Sequence, residues 1–106
     1  MVIKDIDDEI IEVIKKYIDK ISKIYNLDSV FLFGSYAKGN QNESSDIDIA
    51  IISDDFIDII DDGANLIGLT WKIDTRIEPH PITKAEFEKV DSPLIKEIKE
   101  TGIKVA

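Results

Sequence analysis

The chain reads as an α/β domain, a small mixed β-sheet flanked by helices. Two windows, 5–25 and 56–69, repeat apolar residues at the three- and four-residue steps of a helix. Three short runs, 29–33, 46–52 and 72–78, are continuously apolar or alternate as strands do. Gly, Asn, Ser and Pro punctuate the joins. With a helical region near the end that carries two capping signals, the order is helix, strand, strand, helix, strand, helix. At 106 residues this is read as one domain, 1–106, with one core and no repeats or linkers.

In the first helix, Asp5 to Tyr25, Ile6, Ile10, Val13, Tyr17, Ile21 and Ile24 line one face, which is assigned to the core. Asp7, Asp8 and Glu9 fall in the first turn, where the helix dipole favours negative charge, and Asn26 is the expected cap. Ser29 to Phe33 is apolar enough for a strand covered on both faces. The loop Lys38 to Ser45 carries turn residues. From Asp46 to Ile52, Asp46, Asp48 and Ala50 alternate with Ile47, Ile49 and Ile51, giving an expected core face and an open acidic face.

Phe56 to Leu69 is expected to be helical, with Phe56, Ile60, Ala64 and Ile67 on one stripe. Lys72 to Glu78 alternates again, with Asp74, Arg76 and Glu78 sharing a face, and Pro79 is expected to end that strand. Thr83 and Glu86 form a capping box for a helix over Lys84 to Val90. Ser92 and Pro93 open another, carrying Leu94, Ile95 and Ile98 until Gly102.

Composition narrows the function classes. Hydrophobic residues at 43% and charged residues at 33% belong to a folded chain. A net charge of −9 argues against general nucleic-acid binding, which draws its affinity from Lys and Arg on phosphates. There is no cysteine, hence no disulfide or thiolate site. The acidic first residues do not form a signal peptide and no apolar run reaches spanning length, so the expectation is a cytoplasmic protein without membrane contact.

The chemistry concentrates in GSYAKGNQNESSDIDIAII, Gly34 to Ile52. Asp46 and Asp48 point the same way on a strand, roughly 6.7 Å apart. At an effective dielectric near 20 their charges repel by roughly 2.5 kcal/mol. A divalent cation removes that cost, and Mg²⁺ takes its oxygens from one or two carboxylates plus substrate phosphates. The Gly34-Ser35 turn offers backbone N–H groups and a hydroxyl to a phosphate. Together they point to phosphoryl or nucleotidyl transfer.

Gly34-Ser35, ten residues, then Asp46-Ile47-Asp48 resembles the GSx₁₀DxD signature of the DNA polymerase beta-like nucleotidyltransferase superfamily. The closest likeness is to minimal nucleotidyltransferase domains of the MntA-like antitoxin type, and the stretch IDTRIEPHPITKAEFEKVDSPLIKEI extends it. The resemblance implies that Asp46 and Asp48 hold two Mg²⁺ ions and that Asp74 is the third catalytic and metal-binding carboxylate. It implies that Gly34 and Ser35 bind the phosphates of a nucleoside triphosphate, ATP in the first instance. It further implies AMP transfer to a hydroxyl on a HEPN-domain toxin, the chain acting as a type VII-like antitoxin.

Alternatives stand beside these roles. Asp74 could instead pair with Arg76, leaving Glu78 as the third acid. Lys38 and His80 are read as loop residues, and Tyr36 as a base-stacking group or a turn filler. A catalytically inactive antitoxin that works by contact is the competing function. Retention of the carboxylates with Gly34-Ser35 favours the enzyme. Small-molecule modification is weaker, since no second substrate domain is seen.

Overall fold

Helix α1, Asp8–Ile21, buries Ile10, Ile14, Tyr17 and Ile21, spaced four, three and four residues apart on one stripe. The computed structural model describes residues 6–42, 44–89 and 92–106. The expected helix start at Asp5 lies outside these. The helix closes at Ser22, earlier than the expected cap at Asn26, and Tyr25 continues the turn by donating its N–H to the Ile21 carbonyl. Ile24, assigned to the core stripe, is 58% exposed.

Strand β1, Ser29–Phe33, is followed directly by a one-turn helix α2, Ser35–Lys38, that the sequence pattern did not announce. Four residues are too few to show a helical period. Strand β2, Ile47–Ile52, runs antiparallel to β1, with Phe33 opposite Asp48. A two-residue strand at Ile103–Lys104, β4, closes the far side of β1 and was likewise too short to read.

Helix α3, Ile59–Gly68, starts later than expected because the Asp58 carboxylate accepts the N–H groups of Ile60 and Asp61. Phe56 is buried, but before the helix, with its ring edge-to-face against Tyr25. The expected stripe therefore divides. Leu66 is the fully buried residue of α3, while Ile60 is 78% and Ile67 55% exposed.

Strand β3, Ile77–Ile82, replaces the strand expected over 72–78, and contains both Pro79 and Pro81. It is the outer strand in the order β3-β2-β1-β4 and runs parallel to β2. The carbonyls of Arg76 and Ile82 accept from the N–H groups of Ile47 and Ser53. The even-numbered backbone thus faces β2, and the prolines fall where their missing N–H groups would have met the open edge. A proline at that phase ends nothing, and it denies the edge to a further strand.

Helices α4, Lys84–Lys89, and α5, Pro93–Thr101, complete the chain. Thr83 and Glu86 exchange the expected reciprocal bonds, and the Ser92 hydroxyl accepts from Ile95 N–H. The expected extension of α4 to Val90 lies outside the described residues.

The sheet divides the apolar residues into two cores. Val30, Leu32, Ile47, Ile49 and Ile51 face α1 and Leu66 of α3. Phe33, Ala50, Ile52 and Ile82 face Ile95 and Ile98 of α5, with Phe87 of α4 beside them. The face of β2 expected to stay acidic and open is thus open only at its start, where Asp48 precedes buried Ala50 and Ile52. No helix among the described residues is long and apolar enough to cross a membrane.

Candidate active site

The site forms where β1 ends and β2 begins, next to the start of β3. Gly34 takes φ 76° and ψ −148°, a region essentially confined to glycine. A Cβ there would run into the Asp48 carboxylate, so the chain can turn past that carboxylate only without a side chain. Ser35 opens α2 directly after it. Tyr36, the next residue, is buried in the first core, and its hydroxyl oxygen accepts from Arg76 at 3.4 Å; it fills the turn.

Asp46 lies just before β2 and is exposed, and Asp48 is the second residue of the strand and half-buried. Parallel pairing sets Glu78 of β3 opposite Asp48, and His80 opposite Ala50. Residues two apart on a strand share a face, so Glu78 and His80 both lean over the acidic start of β2. One ligand atom each from Asp48, Glu78 and His80 lie within 4.8 Å of one another. His80 Nε2 is 3.4 Å from Asp48 Oδ1 and 3.6 Å from Glu78 Oε1. Its ring stands edge-on to Phe33, with centroids 5.0 Å apart.

Asp74 is not in this group. It sits in the turn before β3, where Arg76 grips it with Nε and Nη2 while the Arg76 backbone N–H donates to the same carboxylate. These bonds, the side-chain ones foremost, hold the Asp74 carboxyl below the usual aspartate range. An acid so committed to its own guanidinium has few lone pairs left for a cation. His80, read as a loop residue, is instead within the site. Only the position of β3 reveals that, because moving the strand from 72–78 to 77–82 leaves Asp74 behind, keeps Glu78 and brings in His80.

The electrostatics of the group run against its own charge. A hydrogen bond with Asp46, then burial and the Asp48 charge, push the Glu78 carboxyl above its ordinary value. Burial pushes Asp48 up, opposed by its contact with His80 and reinforced by Asp46 and by Glu97 of α5. Lys38 of α2 reaches across to Glu97 at 3.3 Å, so this lysine is paired rather than merely solvated. Carboxylates forced together and partly desolvated gain most from a divalent cation, and the oxygen-rich donor set suits Mg²⁺ or Mn²⁺.

A family model for the nucleotidyltransferase domain matches residues 13–105. Among curated relatives, "Putative protein adenylyltransferase MJ1379" of Methanocaldococcus jannaschii is 32% identical over 90 residues, covering 76% of this chain and 90% of that one. MJ0141 of the same organism, named likewise, is 52% identical over 46 residues, 42% of this chain and 46% of its own. Protein adenylyltransferase MntA of Shewanella oneidensis is 41% identical over 54 residues, 51% of this chain and 34% of MntA. The matched stretch thus spans about half or less of most of these relatives. Among solved structures, a toxin–antitoxin crystal structure with AMP-PNP aligns at TM-score 0.67 and 26% identity, covering 91% of this chain and 72% of that one. A Sulfolobus solfataricus protein at 18% identity and TM-score 0.63, with coverage of 89% and 77%, shares the fold.

Proposed function

The chain belongs to the nucleotidyltransferase domain family, and from that premise we propose that it transfers AMP from ATP to a hydroxyl on a partner protein, in a Mg²⁺-dependent reaction. The observation that carries this reading is the convergence of Asp48 and Glu78, register partners on β2 and β3, beside the bend at Gly34. Asp46, Asp48 and Glu78 are the carboxylates that would hold divalent metal, Glu78 taking the third place rather than Asp74. Once bound, such ions lower the pKa of an attacking hydroxyl and neutralise charge on the triphosphate.

The chain's own residues do the rest. Gly34 lets the chain turn past the Asp48 carboxylate, and Ser35 would offer its hydroxyl and N–H to a phosphate beside that turn. Beside it, Glu78 or Asp48 would take the proton of an acceptor hydroxyl. Its oxygen then bonds to the α-phosphorus as the α–β bridging bond breaks, and pyrophosphate leaves. Positioning and charge neutralisation supply most of the rate in such a reaction.

A toxin is the acceptor that the relatives favour, since a structural neighbour is a toxin–antitoxin complex; its HEPN class follows from the resemblance of the signature. Acidic charge, −9 overall, suits a basic partner and disfavours a nucleic-acid end. Exposed Ile60, Ile67 and Trp71 on and just after α3 give such a partner an apolar foothold. That same foothold supports the second reading, neutralisation by contact alone.

Labelled ATP, Mg²⁺ and a co-expressed HEPN-domain protein test the two. Transfer of AMP to that protein by the wild type, lost in Asp48→Asn, supports the enzyme. Binding that suppresses the toxin without label, equally in wild type and variant, supports contact alone.

A further inference from the structure

His80 is the chain's one histidine, and it occupies a position in the acidic group that a polar spacer does not need. Its Nε2 lies at 3.4 Å from one Asp48 oxygen and 3.6 Å from one Glu78 oxygen. Both separations exceed a good hydrogen bond, so the ring is committed to neither carboxylate. Adjacent ligands of an octahedral ion with bonds near 2.1 Å stand roughly 3.0 Å apart, and opposite ones about 4.2 Å. Three donor atoms within 4.8 Å of one another are thus close enough for one ion to meet all three after small side-chain adjustments.

The fold also holds the imidazole in place. Phe33 fixes the ring edge-on from β1, and the residue opposite His80 in the register is Ala50, whose single methyl lets the ring lean toward Asp48. Both supports come from strands, which place side chains more tightly than loops do.

We propose that His80 Nε2 is a direct metal ligand, completing a two-carboxylate, one-imidazole set with Asp48 and Glu78, and that this nitrogen raises the site's affinity for Mn²⁺ relative to Mg²⁺. Imidazole suits transition metals, whereas Mg²⁺ prefers oxygen throughout. The inference rests on the metal-binding half of the proposed function and not on the transfer reaction.

The test uses the untagged 106-residue chain and Mn²⁺ without nucleotide. Pulsed electron paramagnetic resonance of the Mn²⁺-loaded protein is expected to show ¹⁴N coupling from a bound imidazole, which only His80 can supply. His80→Asn should abolish that coupling. It should also narrow the Mn²⁺-to-Mg²⁺ affinity ratio by at least the roughly tenfold that losing an outer-shell partner costs. Absence of ¹⁴N coupling in the wild type overturns the proposal, and that measurement needs no variant to fold. Equal weakening of Mn²⁺ and Mg²⁺ in His80→Asn also overturns it, reducing the histidine to a prop for Asp48. Unchanged Mn²⁺ binding in Asp48→Asn would instead sink the metal site itself, a failure distinct from that of the histidine.

Discussion

Gly34 and Asp48 touch across the bend between β1 and β2, backbone against carboxylate, with no space between them for a Cβ. The glycine of the signature is thus explained by the aspartate of the same signature. Gly34→Ala must strain a backbone at φ 76° and displace Asp48 together. Strain of this kind costs on the order of 1–3 kcal/mol. A catalytic group moved by about 1 Å can lose roughly 100-fold in rate. Thermal denaturation should register the first, and AMP transfer the second.

Glu78→Gln should remove transfer and weaken divalent binding, as Asp48→Asn does. Asp74→Asn should leave both largely intact, because Asp74 is engaged with Arg76 in the turn before β3. Parallel turnover and metal titrations of the three variants decide the matter. Loss of transfer in Asp74→Asn at unchanged folded fraction would return the third-acid role to that residue.

The Asp74–Arg76 fork also sets a pH dependence. Its hydrogen bonds lower the Asp74 carboxyl below its unfolded value, near 3.9. Stability from the pair is therefore fully present above about pH 4 and drains away as pH falls through the lowered folded value. Between pH 5 and 3, melting temperature should fall less steeply in Asp74→Asn than in the wild type.

Asp48 and Glu78 work in the opposite direction. Their carboxyls are raised in the fold, by burial for Asp48 and by the hydrogen bond with Asp46 for Glu78, so the ionised forms subtract stability at neutral pH. That loss is recovered as pH drops through the raised values. Without divalent metal at pH 7, Asp48→Asn and Glu78→Gln should melt above the wild type. Added Mg²⁺ or Mn²⁺ should raise the wild type and have little effect on the variants, as a differential-scanning series would show.

The outer face of α3 predicts a separable defect. Ile60 and Ile67 lie seven residues apart, on one side of the helix, and Trp71 follows at 76% exposure. Asp58 caps α3 and Asp61 follows Ile60 in its first turn, so a second copy would meet its own charge there, whereas a basic partner would not. Ile60→Lys and Trp71→Ala should leave the unfolding free energy within about 0.5 kcal/mol of wild type, as surface changes do. Partner binding by calorimetry should weaken while nucleotide binding persists. Unaltered partner affinity would move the interface elsewhere.

Period and punctuation carried much of this protein in one dimension. The α1 stripe, the apolar β1, the Thr83–Glu86 and Ser92 caps and the spacing from Gly34-Ser35 to Asp46 and Asp48 are local, since each depends on residues within about a dozen positions. Tertiary contact decided what local pattern leaves degenerate. Alternation was read over 72–78 with Pro79 as its end, and only pairing with β2 set the strand at 77–82, because an edge strand tolerates Pro79 and Pro81 where a central one would not. That choice sent Asp74 to Arg76 and brought Glu78 and His80 to Asp48. On α3 the expected stripe of Ile60 and Ile67 turned outward, and the packing of Leu66 below the Tyr17 hydroxyl, which donates to its carbonyl at 2.8 Å, selected the face turned inward.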